Sequence, residues 1–387
     1  MLKQENPLIY LNNAATSWPK PPEVIQAVQE SLELPFGGGG RGTGKAQRDY
    51  LTEGRETVAH FFGEDSPDKI VFSSNATDAL NTLIHGFAAS QTEKFHVITT
   101  TLEHNSVLRP LHHLEKTGAI ELDHIPFSNT QVNPESIMEA VTDKTRLVVM
   151  NHGSNVLGSV QDIRAVGEYL HDKDIFFIVD GSQTAGHIPL NLSSLELDAF
   201  VFTGHKGLYG MPGTGGFCIR NPDPVLPVRM GGTGTDSGSL DQPIDLPDRY
   251  EIGTHNYPGV ASLIAGISFL RSIGMDALRR RSDRQIEIFM KELSSEPGIT
   301  IYNPEPDLPI IACNITGLDN DDVGYILARK DNIVVRTGLH CAPLLHKTID
   351  DGAGCVRISP SWFTTDEECQ IAVDAIKEIA HHADSQI

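Results

Sequence analysis

From about residue 63 to residue 220, short apolar runs alternate with stretches whose apolar positions recur at helical spacing. The apolar runs at 69–73, 95–99, 121–125, 146–150, 175–179, 199–202 and 215–219 read as strands. The spacing between them predicts helices near 77–89, 105–117, 134–141 and 161–171. Such alternation is the signature of a mostly parallel sheet covered by helices. Ahead of it, Ile9-Tyr-Leu11 is a short extended entry, and Pro19, Pro21 and Pro22 precede a helix near 23–33. The glycine-rich run 37–44 reads as a loop, followed by a helix near 46–62 that ends close to Gly63.

Residues 221–258 break the rhythm. They are rich in Gly, Pro and Asp and read as a long surface or interface loop. Helices at 260–272 and 275–294 follow, then strand-like runs at 309–315 and 332–336, a helix near 320–329 and a last one at 365–383. The expected organisation is a large α/β domain over 21–258. A smaller α/β domain, made of 259–387 with 1–20, accompanies it.

Composition narrows the function. Hydrophobic residues are 39% and charged residues 21% of 387, an ordinary globular mixture. The net charge of -21 opposes non-specific nucleic-acid binding, which rests on phosphate neutralisation. No run of eighteen apolar residues occurs, so no membrane span is expected. The start, Met1-Leu-Lys-Gln-Glu-Asn-Pro7, lacks the apolar run of a signal peptide. The cysteines number five and form no Cys-x-x-Cys pair. A disulfide framework is therefore not expected, and a reducing, cytoplasmic compartment is. Their spacing relative to the histidines suggests no closed zinc site, and no metal is expected.

Candidate chemistry gathers where strands end, the place where open α/β sheets bind ligands. Lys206 follows the strand at 199–202 in Thr203-Gly-His-Lys206, Asp180 ends Phe176-Phe-Ile-Val-Asp180, and Cys341 lies in Arg336-Thr-Gly-Leu-His-Cys341. An acid, a strand-end lysine and a separate cysteine point to a pyridoxal-phosphate enzyme acting on a sulfur- or selenium-bearing amino acid. The lysine would hold the cofactor aldehyde, the acid its ring nitrogen, and the cysteine would take the leaving atom. Ala76 and Thr77 open a helix after Ile70-Val-Phe72, where free N–H groups suit a phosphate, though Thr77 also suits a plain helix start. Thr203 and His205 can reach the same phosphate. Gln183 and Asn155 can reach the ring oxygen, and His104 can stack on the ring or move protons. For Cys341 the alternative is buried packing, which is the reading for Cys218, Cys313, Cys355 and Cys369. Arg336, His340 or a helix terminus could favour a thiolate at Cys341.

These segments together resemble the cysteine desulfurase and selenocysteine lyase family, in the class V aminotransferase group of fold-type-I pyridoxal-phosphate enzymes. The resemblance is carried by Tyr10-Leu-Asn-Asn-Ala-Ala-Thr-Ser17, Ser74-Asn-Ala-Thr-Asp-Ala-Leu-Asn81, Asn155, Val179-Asp-Gly-Ser-Gln183, Thr203-Gly-His-Lys206 and Arg336-Thr-Gly-Leu-His-Cys341, in family order. It implies that Lys206 bonds the cofactor, that His104 stacks over the ring and assists proton transfer, and that Asp180 pairs with the ring nitrogen. Asn155 and Gln183 would sit near the ring oxygen, and Thr77, Thr203 and His205 would hold the phosphate. Thr254 would reach the phosphate of a partner subunit, implying a homodimer with shared active sites. Arg357, supported by Arg336, would grip the substrate carboxylate, and Cys341 would attack the substrate sulfur. The implied activity converts L-cysteine to L-alanine, passing sulfur through an enzyme persulfide to an acceptor. Selenocysteine lyase, another lyase or transaminase of this fold, and a sulfur-transfer scaffold without turnover are the alternatives. Three departures stand out. Asn12 replaces the usual Asp, Gly181-Ser182 replaces the usual alanines or histidine, and the cysteine loop is of the short kind.

Overall fold

The seven apolar runs between 69 and 219 come together in one sheet, and its order explains where the candidate residues meet. The computed structural model describes residues 7–33, 48–235 and 237–384. The glycine-rich run 37–44 and the first residues of the helix expected from 46 lie outside them. In chain order the first elements are β1 (Ile9–Tyr10), α1 (Pro22–Glu33), α2 (Tyr50–Phe62), β2 (Ile70–Ser73), α3 (Ala76–Ser90), β3 (Phe95–Thr100), α4 (Asn105–Lys116) and β4 (Ile120–Ile125). Next come α5 (Pro134–Ala140), β5 (Thr145–Asn151), α6 (Ile163–Leu170), β6 (Phe176–Asp180), β7 (Ala199–Thr203) and β8 (Gly215–Ile219).

The sheet order is β2-β8-β7-β6-β5-β3-β4. From β7 to β4 every pairing is parallel, while β8 runs antiparallel to both β2 and β7. The C-terminal ends of β2, β3, β5, β6 and β7 therefore share one edge. Strands β6, β7 and β8 are buried at every position, as helices on both faces require of inner strands. Edge strand β4 instead exposes Glu121, Asp123 and His124. On one face Phe62, Phe177, Phe200 and Phe202 share a core; on the other, Leu80, Leu83, Ile178 and Phe217 do. Burying each such side chain stabilises the fold by about 1.5–3 kcal/mol.

The chain continues through α7 (Tyr257–Ile273), α8 (Met275–Leu293), β9 (Ile299–Ile301), β10 (Ile311–Ile315), α9 (Asn320–Asp331), β11 (Ile333–Val334), α10 (Pro343–Ile349), β12 (Val356–Ile358) and α11 (Asp366–Asp384). Strands β12-β10-β9 form an antiparallel sheet, and β1 pairs in parallel with β11. Ile9 and Leu11 share a core with Ile311, Ile333, Ile358 and Cys369, so the N-terminal strand packs with the C-terminal elements. The described part of 221–256 holds neither helix nor strand, and α7 begins inside the expected loop, at Tyr257. Among the described residues no single helix is long and apolar enough to cross a membrane; α7 and α8 meet that test only as a pair bent by 81°.

Candidate active site

A cavity of about 650 Å³ opens at the shared strand edge, walled on its far side by Arg336, His340, Cys341 and Arg357. It collects Ala76 and Thr77 after β2, His104 after β3, Asn155 after β5, Asp180 and Gln183 from β6, and Thr203, His205 and Lys206 from β7. Twelve of the thirteen residues singled out by sequence line it. Thr254 does not. It lines a neighbouring recess with Ser74, Asp78, Arg229 and His255.

Lys206 is placed by the residue before it. The His205 carbonyl accepts hydrogen bonds from Ser17 N and Oγ (both 3.0 Å), Thr16 Oγ1 (3.2 Å) and Lys20 Nζ (2.9 Å). Burial pushes the Lys206 amine down to about 8; the Asp180 charge opposes the shift and Arg357 adds to it. About a tenth of the amine is then neutral at pH 7, far more than for an exposed lysine, and that fraction is the nucleophile. The Asp180 carboxylate is itself buried and accepts from Ser182 N (2.9 Å) and Ser182 Oγ (2.5 Å).

Nearby, Glu103 is fully buried. Its Oε1 accepts from Thr100 Oγ1 (2.6 Å) and Asn151 N (3.0 Å), and Oε2 has no partner. Burial, opposed by those hydrogen bonds and helped by the Asp180 charge, lifts its carboxyl to about 8. A protonated Glu103 spares the site a second negative charge.

His104 caps α4. Its Nδ1 accepts from Ser106 N at 3.0 Å and lies 2.8 Å from Ser106 Oγ, which leaves Nε2 as the ring nitrogen free to carry a proton. Burial, then the Lys206 charge, lowers its pKa to about 4. The ring is neutral at physiological pH.

At the other end of the cavity, Gly215 pairs with Ser73 on one side and Thr203 on the other. A Cβ on Gly215 would lie 2.8 Å from the Asn75 Cα, so the glycine lets Thr203 approach the first turn of α3. Asn75 caps that helix through Asp78 N (2.9 Å). Thr203 Oγ1 and His205 Nδ1 are buried there without partners. Burial and the Lys206 and Lys20 charges hold His205 near pKa 4, hence neutral. Two orphaned polar atoms beside a helix N-terminus fit a bound phosphate, which would satisfy both.

Arg357 is buried. Its Nη1 donates to the Asn155 carbonyl (2.8 Å) and Nη2 to Asn12 Oδ1 (3.4 Å), while Nε has no partner. Burial lowers its pKa to about 10, so it stays charged. A buried cation short of one acceptor suits an anionic group. Arg336 pairs with Arg357 through the backbone and is exposed.

Gln183 donates to the Ala14 carbonyl (3.1 Å), and Asn155 donates to the His340 carbonyl (2.8 Å). Cys341 is exposed at the cavity mouth, with φ of 59° after His340 at 48°. Burial holds His340 neutral, at about 2, with Nε2 3.0 Å from the Cys355 carbonyl, so His340 lends no charge to a Cys341 thiolate. The other four cysteines are buried.

Sequence reasoning missed Lys20, Ser106 and Glu103. The signal for Lys20, a lysine among three prolines, was present; a fully buried Glu103 had none.

The family model described as Aminotransferase class-V matches residues 9–371. A probable cysteine desulfurase of Methanothermobacter thermautotrophicus is 33% identical over 383 residues, spanning 96% of this chain and 94% of its own. One from Halalkalibacterium halodurans is 30% identical, spanning 89% and 86%. Among solved structures, the apo cysteine desulfurase of Thermococcus onnurineus superposes with a TM-score of 0.89 at 28% identity, covering 97% of this chain and 95% of that one.

Proposed function

The chain belongs to the class-V aminotransferase family, and on that premise we propose that it removes sulfur from L-cysteine, releases L-alanine and carries the sulfur on Cys341. One observation carries this reading: a single cavity holds a depressed-pKa lysine, a buried aspartate and an exposed cysteine.

The family implies pyridoxal phosphate, and the residues present fit it. Thr203, His205 and the first turn of α3 would hold its phosphate, Asp180 its ring nitrogen and Lys206 its aldehyde. His104 would cover the ring, with Asn155 and Gln183 toward its oxygen. When bound, the cofactor supplies an electron sink that weakens bonds at the substrate α-carbon.

The chain supplies the rest. Arg357 binds the substrate carboxylate. Lys206, when not bonded, takes and returns a proton at carbon. Neutral His104, its Nδ1 held by Ser106, presents an Nε2–H donor toward the substrate. The Cys341 sulfur bonds the substrate sulfur as the carbon–sulfur bond breaks. The electron pair of that bond goes to carbon, which is protonated, giving alanine and a Cys341 persulfide.

We further propose a homodimer in which Thr254 of a second copy completes the phosphate site. An acceptor protein or small thiol would collect the sulfur at the exposed Cys341. Cytoplasmic reducing conditions suit a cysteine that must stay a free thiol between cycles. The direct test incubates the cofactor-loaded protein with L-cysteine, quantifies alanine and weighs the Cys341 peptide. One alanine per sulfur, with one added sulfur on Cys341, is expected, and Cys341→Ser should abolish both. Turnover of selenocysteine alone, or pyruvate in place of alanine, overturns the reading.

A further inference from the structure

Behind the loop that presents Cys341 lies a second cluster that the desulfurase reading does not use. His340, His346 and Cys355 are all buried, and each offers one ligand atom within 4.8 Å of the other two. His340 precedes the reactive cysteine, His346 sits on α10, and Cys355 precedes β12. Three separate stretches thus converge under one loop.

The hydrogen bonding of the two imidazoles marks this as more than apolar packing. His346 is fully buried, and its Nδ1 lies 2.6 Å from Asp350 Oδ2. Its Nε2 has no partner at all. In His340, Nε2 is engaged by the Cys355 carbonyl at 3.0 Å, and Nδ1 is the unpartnered nitrogen. The Cys355 Sγ lies 3.5 Å from His340 Nε2. A buried ring nitrogen without a partner is costly. A ring held by a carboxylate at one nitrogen and bare at the other is how metal-binding histidines are oriented.

We propose that His340, His346 and Cys355 bind a thiophilic divalent cation of the zinc class. His346 ligates through Nε2, Cys355 through its thiolate and His340 through a ring nitrogen, leaving the fourth tetrahedral position to a small ligand. Binding releases the Cys355 thiol proton to solvent. Asp350 is a positioning residue that fixes the His346 tautomer. The ion pins the loop from below, one residue from Cys341. The sequence spacing hides the site because the ligands are separated by five and eight residues and the last lies beyond α10, just ahead of β12.

The experiment loads the full chain, in its cofactor-bound form, with zinc alone, removes excess by dialysis and counts metal per chain. Cys341→Ala serves as background, so that the exposed thiol cannot supply a ligand. One zinc per chain is expected in both the natural protein and Cys341→Ala. His346→Gln and Cys355→Ser should retain none, and Asp350→Asn should bind roughly 10- to 100-fold more weakly. X-ray absorption on the zinc-loaded protein provides the measurement that needs no variant to fold. It should show two nitrogens at about 2.0 Å and one sulfur at about 2.3 Å. Zinc lost with Cys341→Ala, zinc retained in His346→Gln, a shell without sulfur, or no bound zinc each overturns the proposal.

Discussion

The backbone N–H of Asn105 donates to the carbonyl of Cys341 at 2.7 Å. This bond ties the helix that His104 caps to the loop that offers the sulfur acceptor. It couples the two sides of the cavity without using a side chain. Asn155, donating to the His340 carbonyl, holds the same loop one residue earlier. Residues 340 and 341 both have left-handed backbones, so two anchors keep a turn that neither residue favours.

Asn105→Pro deletes only the first anchor. Position 105 opens α4, where proline is well tolerated, and His104 already has the extended backbone that a following proline demands. Losing one neutral hydrogen bond costs about 0.5–1.5 kcal/mol. If that bond holds Cys341 in its attacking position, persulfide formation should slow by roughly 2- to 12-fold. Substrate-induced spectral change of the cofactor should be unaltered. Asn105→Ala, which keeps the N–H, should behave as the natural protein. Single-turnover measurement of both signals separates these outcomes; equal rates for the two variants would remove the anchor from the argument.

The lowered pKa of Lys206 gives a pH prediction with a definite sign. Below about 8 the amine is mainly ammonium and cannot attack an aldehyde. Covalent capture of pyridoxal phosphate by cofactor-free protein should therefore quicken roughly tenfold per pH unit up to about 8, then level off. An unburied lysine derivative in the same assay should keep rising past that point, toward its own value of about 10.4. Borohydride trapping followed by peptide mapping measures the rate and locates the bond. A protein curve that follows the model amine would show that burial does not tune Lys206.

The strands of the large sheet were legible because β5 to β8 are buried on both faces and read as unbroken apolar runs. The strand-end chemistry followed directly, since Asp180 and Lys206 sit at or just past such ends. What escaped were short elements. β9 and β12 have three residues each, too few to display a period. α10 hid behind Pro343, a residue that in sequence reads as a loop signal but is the helix's first residue. Glu103 shows why site chemistry is only partly written in the chain. Its raised pKa comes first from burial and then from the Asp180 charge, against the hydrogen bonds from Thr100 and Asn151, and the fold rather than the local sequence brings these groups together.

The departure at Gly181-Ser182 has a packing cause. A Cβ on Gly181 would lie 2.0 Å from the Phe200 ring, which is fully buried in the core below. Gly181→Ala should therefore destabilise the protein by about 1–3 kcal/mol, as overpacking does. Shrinking the ring with Phe200→Leu should make the same alanine less costly, so the double variant should lose less than the two single losses together. Denaturant titration of the three variants checks this. Strict additivity would place the constraint elsewhere.

The strongest structural prediction concerns Arg55 and Glu251. Both are buried, and they meet in a two-pronged pair with both contacts at 2.6 Å. Arg55 also donates to the Ile70 carbonyl (2.7 Å), and Glu251 also accepts from Phe72 N (2.6 Å). The pair thus fastens the loop that carries Thr254 to β2, the strand that leads to Thr77. Removing the cation alone strands a buried carboxylate, which typically costs about 3–5 kcal/mol. Arg55→Ala should fall in that range. Arg55→Met with Glu251→Gln leaves no buried charge and keeps an acceptor for Phe72 N–H, so it should recover at least part of the loss. Urea unfolding at one fixed protein concentration provides the comparison, because association through the Thr254 loop would otherwise contribute. If Arg55→Ala is as stable as the double variant, the ion pair does not anchor this loop.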